Sequence, residues 1–366
     1  MSLLILSHLP ATDGSFFHIW KGMGVDPYQA RSEGGVEGVE VMVPWSMGNE
    51  GKYDYLTTSN ARTLLCLGSE ALQSALGLTD APSVMGAVWN AAEARAIAAS
   101  LKAGSLLERL PNLHSVVVSL HPADAMKGAR WMLPTLYKFI QRAAAWSQRE
   151  YGPDNRLDGI TINLNPTEND IEKAFAEDDG GPISIDIETP KGQQGNIILV
   201  GIAPTPNRAC VADWSNGSLR RAIERGIQGG GREIVGHNFY YDHRGFSLNN
   251  VVIPGKVHDT ITQASTIYPP VADRKSDKAG KENSEEDGSR PKKKLKVKWL
   301  GLQNCVLREF EDQAPWKRVE ELKWVQAYYK VAFPSYNEWQ WNKLYCAMDV
   351  IQTRRLHDKH KEMMGE

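Results

Sequence analysis

The 366-residue sequence has only four cysteines, Cys66, Cys210, Cys305 and Cys346, and no two stand close together. With no Cys-x-x-Cys pair, the sequence argues against a disulfide framework, a structural zinc site and an iron–sulfur cluster, and a reducing compartment is expected. Charge of one sign is lacking too: 42 Lys and Arg against 44 Asp and Glu leave a net charge of −2. Such a chain is not a basic, sequence-blind coat for nucleic acid. Any contact with phosphates must come from local basic patches or from bound cations. No apolar run is long enough to span a bilayer. The opening Met-Ser-Leu-Leu-Ile-Leu has no basic leader or cleavage signal and reads as a first core strand rather than an export signal. A soluble, cytoplasmic protein with no membrane partner is therefore expected. What the chain does have is length for two domains, and at 42% hydrophobic residues enough apolar material for two cores.

Three short acidic clusters carry the chemistry. Asp186 and Glu188 lie in Ile183-Ser184-Ile185-Asp186-Ile187-Glu188-Thr189, where isoleucines alternate with polar residues. In a strand both acids then share one face while the isoleucines enter the core. Asp242 closes His237-Asn238-Phe239-Tyr240-Tyr241-Asp242, after a short apolar strand from Glu233 to Gly236, and is expected to start a helix. Tyr345 and Asp349 stand four apart, one turn from each other on a helical face. That helix is expected to begin at a capping box, Ser335-Tyr336-Asn337-Glu338. Four carboxylates converging on one point repel each other unless cations neutralise them. The simplest reading is a site for two divalent metals that cut phosphodiester bonds.

These motifs resemble the DEDD superfamily of 3′–5′ exonucleases in its tyrosine-bearing branch. The family pattern Asp-x-Glu-Thr matches Asp186 to Thr189, Asn-x-x-(Tyr/Phe)-Asp matches Asn238 to Asp242, and Tyr-x-x-x-Asp matches Tyr345 to Asp349. His258-Asp259-Thr260 and the run Leu295 to Leu302 further resemble the proofreading domain of phage-type family A (DNA polymerase I-like) polymerases. The resemblance implies two Mg²⁺ or Mn²⁺ ions held by Asp186, Glu188, Asp242 and Asp349, with Tyr345 orienting the attacking water. It implies that Thr189 seats the terminal nucleotide and that His237 and Asn238 orient substrate, while Tyr241 is read as packing. The substrate implied is DNA with a single-stranded or frayed 3′ end. A DNA polymerase is expected as partner, either in a longer form of the chain or as a separate subunit, because only a helix tail follows Asp349. A ribonuclease D-like exoribonuclease would share the same acids, and a DNA-binding module with a vestigial site is the non-enzymatic alternative.

The expected organisation is α/β throughout, in three parts. Residues 180–366 form the exonuclease domain, with strands Ile183–Glu188, Asn196–Ile202 and Ala209–Ala212 and a helix from Ser218 to Gln228 before the Asp242 segment. That order fits the mixed sheet of the ribonuclease H-like fold. Residues 272–289, polar and without apolar period, are expected as a disordered insertion that could order over DNA. Lys292, Lys293, Lys294, Lys296 and Lys298 form the one clear basic patch, which reads equally as a phosphate track or a solvated flank. Residues 152–179, rich in Pro, Asn, Asp and Glu, are expected to be a linker.

Residues 1–151 read as a parallel-sheet, three-layer α/β/α domain. Thr63 to Leu67 is a buried strand that runs through Gly68 into a helix, and Ser115 to Leu120 is a second strand ending in His121-Pro122 before a long helix, Ala125 to Tyr151. The two segments resemble uracil-DNA glycosylases. The loop after the first strand has His8 where that family places an acid or amide, although Asp13 is near, so the resemblance implies a structural or DNA-binding platform. His121 is a weak candidate contact to nucleic acid, set against a histidine that merely caps a strand-to-helix turn.

Overall fold

The computed structural model describes residues 2–8, 13–32, 36–42, 59–103, 106–126, 132–153, 157, 159–177, 179–229, 231–268, 300–311, 313, 315–317, 325–326, 329 and 335–366. The expected insertion at 272–289 and the basic patch from Lys292 to Lys298 lie outside them. The chain divides into two units of the α/β class, each with its own mixed sheet. No helix among the described residues is long and apolar enough to cross a membrane.

The first unit runs β1 (Leu3–Ser7), α1 (Phe16–Gly22), α2 (Pro27–Ser32), β2 (Val39–Met42), β3 (Thr63–Leu67), α3 (Gly68–Leu76), α4 (Ala81–Val84), β4 (Val88–Asn90), α5 (Ala91–Ser100), β5 (Ser115–Ser119), α6 (Pro122–Met126) and α7 (Leu133–Trp146). Its sheet has the order β2-β1-β3-β5-β4. Strands β1, β3 and β5 are buried at every residue, as parallel strands with both faces covered must be. Helices α1 and α7 contribute Phe16, Ile19, Trp20, Ile140 and Trp146 to the core formed with Leu3, Ile5, Leu65 and Val117. Gly68, at φ +85°, lets β3 turn directly into α3.

Two expectations change here. The sheet is not wholly parallel, because β4 pairs antiparallel with β5. The chain leaves β4 through α5 and returns at the same end, with the Ala91 N–H donating to the His114 carbonyl. The long helix from Ala125 to Tyr151 is two described helices, α6 and α7. Pro134 sits in the first turn of α7, the one place where a helix accepts its missing N–H.

The second unit runs β6 (Thr161–Asn163), α8 (Glu168–Ala176), β7 (Ile183–Glu188), β8 (Leu199–Thr205), β9 (Arg208–Asp213), α9 (Gly217–Gln228), β10 (Ile234–Gly236), α10 (Tyr240–Leu248), β11 (Val257–Asp259), α11 (Thr260–Ile267), α12 (Leu302–Glu309) and α13 (Glu338–Met364). The sheet order is β11-β10-β7-β8-β9-β6. Strands β7, β8 and β9 form an antiparallel meander, and β10 and β11 add parallel to β7. Alternation along β7 works as the sequence suggested. Ile183, Ile185 and Ile187 join the core formed with α8, α9 and α10. The opposite face meets α13 through Leu199, Ala203, Cys346, Ala347 and Val350.

The stretch 152–179 is not a linker from Thr161 onward. It carries β6, which pairs with β9, and α8, which opens on a Thr167–Asp170 capping box. Its polar composition reflects caps and turns rather than an absence of structure. Strand β8 lies three residues later than expected, because Gln193 to Asn196 form a turn. Helix α13 opens at Asn337, whose side chain and that of Gln340 form the capping box two residues beyond the Ser335 start.

Helix α13 is fastened to the sheet on either side of its two motif residues. Lys343 Nζ donates to the Leu164 carbonyl and to Asp213 Oδ2, both at 2.8 Å. Arg354 donates to the carbonyls of Pro182 (2.8 Å) and Pro204 (3.0 Å) and to Asp179 (2.9 Å). Between these ties the helix lies close on β8 at Gly201, where a Cβ would stand 2.8 Å from Cys346 Sγ and 3.0 Å from Val350 Cγ1. The missing side chain allows the close approach that sets Tyr345 and Asp349 beside the acids of β7.

Candidate acidic site

The strand order reverses between β7 and β10, and the carboxyl ends of strands at such a point are where α/β sheets commonly hold ligands. Asp186 and Glu188 stand at that end of β7. Asp242 occupies the first turn of α10, directly beyond β10. Asp242 is buried, and its Oδ1 accepts a hydrogen bond from the Ile187 N–H at 3.0 Å. That N–H lies between the two acids of β7 and is left available because β7 pairs with β10 only at Ile183 and Ser184. Asp349 is buried on α13, with Tyr345 one turn before it.

The five residues singled out as catalytic therefore converge, and their electrostatics are those of acids forced together. Burial, then Asp242, Glu188 and Asp349, hold the Asp186 carboxyl well above the usual carboxylate range. Burial, with Asp349 and Asp259 nearby, pushes Asp242 up to about 7, against the pull of the Ile187 N–H. Among the described residues the Asp186 carboxylate has neither a hydrogen-bond donor nor an ion-pair partner. A half-buried carboxylate crowded by three others could hold a cation, and carboxylate oxygens are donors of the kind that suit Mg²⁺ or Mn²⁺. Ligand atoms of Asp186, Glu188 and Cys346 lie within 4.8 Å of one another. Burial and the surrounding acids hold the Cys346 thiol well above its ordinary range, so it serves as a neutral packing atom against Gly201.

The segment around Asn238 is set by a residue that sequence reasoning gave no role. Asp259 accepts from the backbone N–H of Asn238 (2.9 Å) and of Phe239 (3.0 Å), and caps α11 through the Ile261 N–H (2.9 Å). This holds Asn238 at φ +60°, exposed at the rim. The His237 ring meets Thr260 Oγ1 at 2.8 Å, and burial pushes its pKa down to about 3, so it is a neutral imidazole. Thr189 Oγ1 and the Tyr241 hydroxyl are bonded at 2.5 Å, so Tyr241 is a rim partner of Thr189 as well as a packing group.

Two further residues enter the site that no motif flagged. The Trp316 indole N–H donates to Asp349 Oδ1 at 2.5 Å, and the Lys317 ammonium forms an ion pair with Asp349 Oδ2. The only signal in the sequence was the dipeptide itself, which has no period and no spacing to either acid motif.

His121 belongs to the first unit and is buried. Its Nδ1 accepts from the Ala123 N–H at 3.1 Å and its Nε2 lies 3.0 Å from Ser7 Oγ. It caps the turn into α6, the plainer of the two readings, and is not presented to a nucleic acid. The His8 ring lies beside it, tilted by 58°, with ring centroids 4.5 Å apart. No protein-family model matches the chain, and no curated protein matches it.

Proposed function

We propose that the second unit is a metal-dependent 3′–5′ exonuclease that shortens DNA 3′ ends and serves a DNA polymerase by removing misincorporated nucleotides. The observation that carries this reading is the half-buried Asp186 carboxylate, without a hydrogen-bond donor or close ion pair among the described residues, at the meeting point of Glu188, Asp242, Tyr345 and Asp349. A binding module has no use for four mutually repelling acids, since clustering them destabilises the fold. The meander β7-β8-β9 followed by parallel β10 and β11 supports the ribonuclease H-like resemblance of this unit. The four parallel strands of the first unit are compatible with a glycosylase-like platform, for which no catalytic role is proposed.

Two divalent ions at such a site would lower the pKa of a bound water and neutralise charge on the scissile phosphate. Asp186, Glu188 and Asp349 would hold the ion beside the nucleophile, and Asp242 the one beside the leaving 3′ oxygen. The Tyr345 hydroxyl would orient the attacking water by hydrogen bonding, as a phenol able both to donate and to accept can do. The Thr189–Tyr241 pair and Asn238 line the rim where the terminal nucleotide would seat.

A 5′-labelled primer–template incubated with Mg²⁺ or Mn²⁺ tests the reading. Stepwise 3′ shortening is expected, abolished by chelation and reduced by about 10³-fold or more in Asp186→Ala and Asp349→Ala. Shortening at native rate in both variants would refute it. Faster attack on a matched RNA end than on DNA would move the substrate class to RNA.

A further inference from the structure

Lys317 is no part of the acid motifs, yet its ammonium lies among them. Besides the ion pair with Asp349 Oδ2, Nζ donates to the Tyr345 hydroxyl at 2.9 Å and sits 4.7 Å from the centre of the Tyr345 ring. The same charge acts on Asp186 and Glu188. The lysine is delivered by a small anchor. Gln303 Oε1, from α12, accepts the backbone N–H of both Trp316 (2.9 Å) and Lys317 (2.8 Å). Trp316 is buried and takes the other oxygen of Asp349. Both oxygens of a residue expected to hold a metal are thus engaged by the chain's own donors.

We propose that Lys317 is a built-in counter-ion of the acidic cluster. It neutralises the carboxylates when no metal is bound, and it yields Asp349 Oδ2 to an arriving divalent ion while keeping the Tyr345 hydroxyl in place. The inference rests on the metal-dependent reading above and names the residue that governs how the metal enters.

The chemistry of an ammonium suits this exchange. It is a compact charge on a flexible stem, able to release one partner and hold another, which the planar fork of an arginine does less readily. Trp316 and Gln303 fix the backbone, so only the side chain needs to move. Metal entry is then the replacement of one cation by another rather than the filling of a bare anionic hole. The metal-free fold keeps its acids partly neutralised, and the metal binds more weakly than four uncompensated carboxylates would hold it.

Lys317→Met keeps the length of the stem and deletes the charge, and it should move two measurements in opposite directions. Thermal unfolding of the full chain in chelator should fall to lower temperature. Affinity for Mn²⁺, followed by the paramagnetic resonance signal of the free ion, should rise about tenfold or more, as expected for removing a unit charge a few ångströms away. Primer shortening should fall, because Lys317 no longer donates to the Tyr345 hydroxyl. Lys317→Arg should return both measurements toward native values. A lysine that merely packs would leave Mn²⁺ affinity unchanged or lower. If Lys317→Met does not fold, the double variant Lys317→Met with Asp349→Asn removes both charges and should recover the fold; failure to recover overturns the proposal. Asp186→Ala separates the two ideas. Native protein that binds Mn²⁺ through Asp186, with no tightening in Lys317→Met, overturns the counter-ion alone. Native protein that binds Mn²⁺ no better than Asp186→Ala overturns the metal reading and the counter-ion together.

Discussion

Asp242→Asn is expected to stabilise the metal-free protein, and to do so only as the pH rises. The substitution is nearly isosteric, and asparagine retains the Oδ1 that accepts the Ile187 N–H at 3.0 Å. What it deletes is a charge that burial resists. The Asp242 carboxyl is moved from 3.8 to about 7. The folded state therefore holds this proton more tightly than the unfolded chain does. Stability from the protonated acid is fully present below pH ~4 and is lost as the pH climbs through about 7. At roughly 1.4 kcal/mol for each pH unit of difference, the loss reaches about 4 kcal/mol at pH 8. Asparagine suffers no such loss. Urea unfolding in chelator between pH 4 and pH 8 should show the variant and the native chain alike at the acid end and separated by up to about 4 kcal/mol at the alkaline end. Mn²⁺ should then narrow the separation at pH 8, since a ligand that prefers the folded native site adds about 2.7 kcal/mol at a hundred times its Kd. A variant advantage that does not change with pH, or a variant less stable than native at pH 8 without metal, would refute the reasoning.

Two further changes probe the frame around the site. Gly201→Ala places a methyl 2.8 Å from Cys346 Sγ and should cost about 1–3 kcal/mol as α13 is pushed from β8, read as a lower unfolding midpoint together with slower primer shortening. His360 is buried, both of its ring nitrogens lack a hydrogen-bond partner among the described residues, and burial pushes its pKa down to about 4. A base so lowered loses stability as the pH falls below its ordinary 6.5. His360→Leu should gain about 1 kcal/mol at pH 7 and more at pH 5, and an equal gain at both would contradict the titration argument.

How much of this was legible in the sequence depends on the range of each interaction. The strand β7 was readable to the residue because a period of two over six residues leaves one face apolar, and that face is buried. The one-turn spacing of Tyr345 and Asp349 was readable because a single helix carries both. The start of that helix was misplaced by two residues, since Ser335 and Asn337 are both good caps and only the tertiary path decides between them. The same limit explains residues 152–179. Thr167 and Asp170 look like loop residues when the partner strand β9 is not yet known. Trp316 and Lys317 were beyond reach for a stronger reason. They meet Asp349 across more than thirty positions through a single glutamine on α12, and no local pattern encodes a contact of that kind.

The acids of this unit gain nothing from one another, so something else must hold them. Asp242 is tethered to the backbone between Asp186 and Glu188, Asp259 pins the turn before α10, and Lys343 and Arg354 pin α13 on either side of Asp349. Each tie is a hydrogen bond, and each acts on backbone or on an element rather than on the Asp186 carboxylate. The frame thus sets the geometry without neutralising the anion at its centre. Had the ties been made to Asp186 itself, the fold would be more stable and the cluster chemically idle. The stability withheld from Asp186 is what a bound cation would supply, which is why loss of the ion and loss of Lys317 should be felt first in the same unfolding measurement.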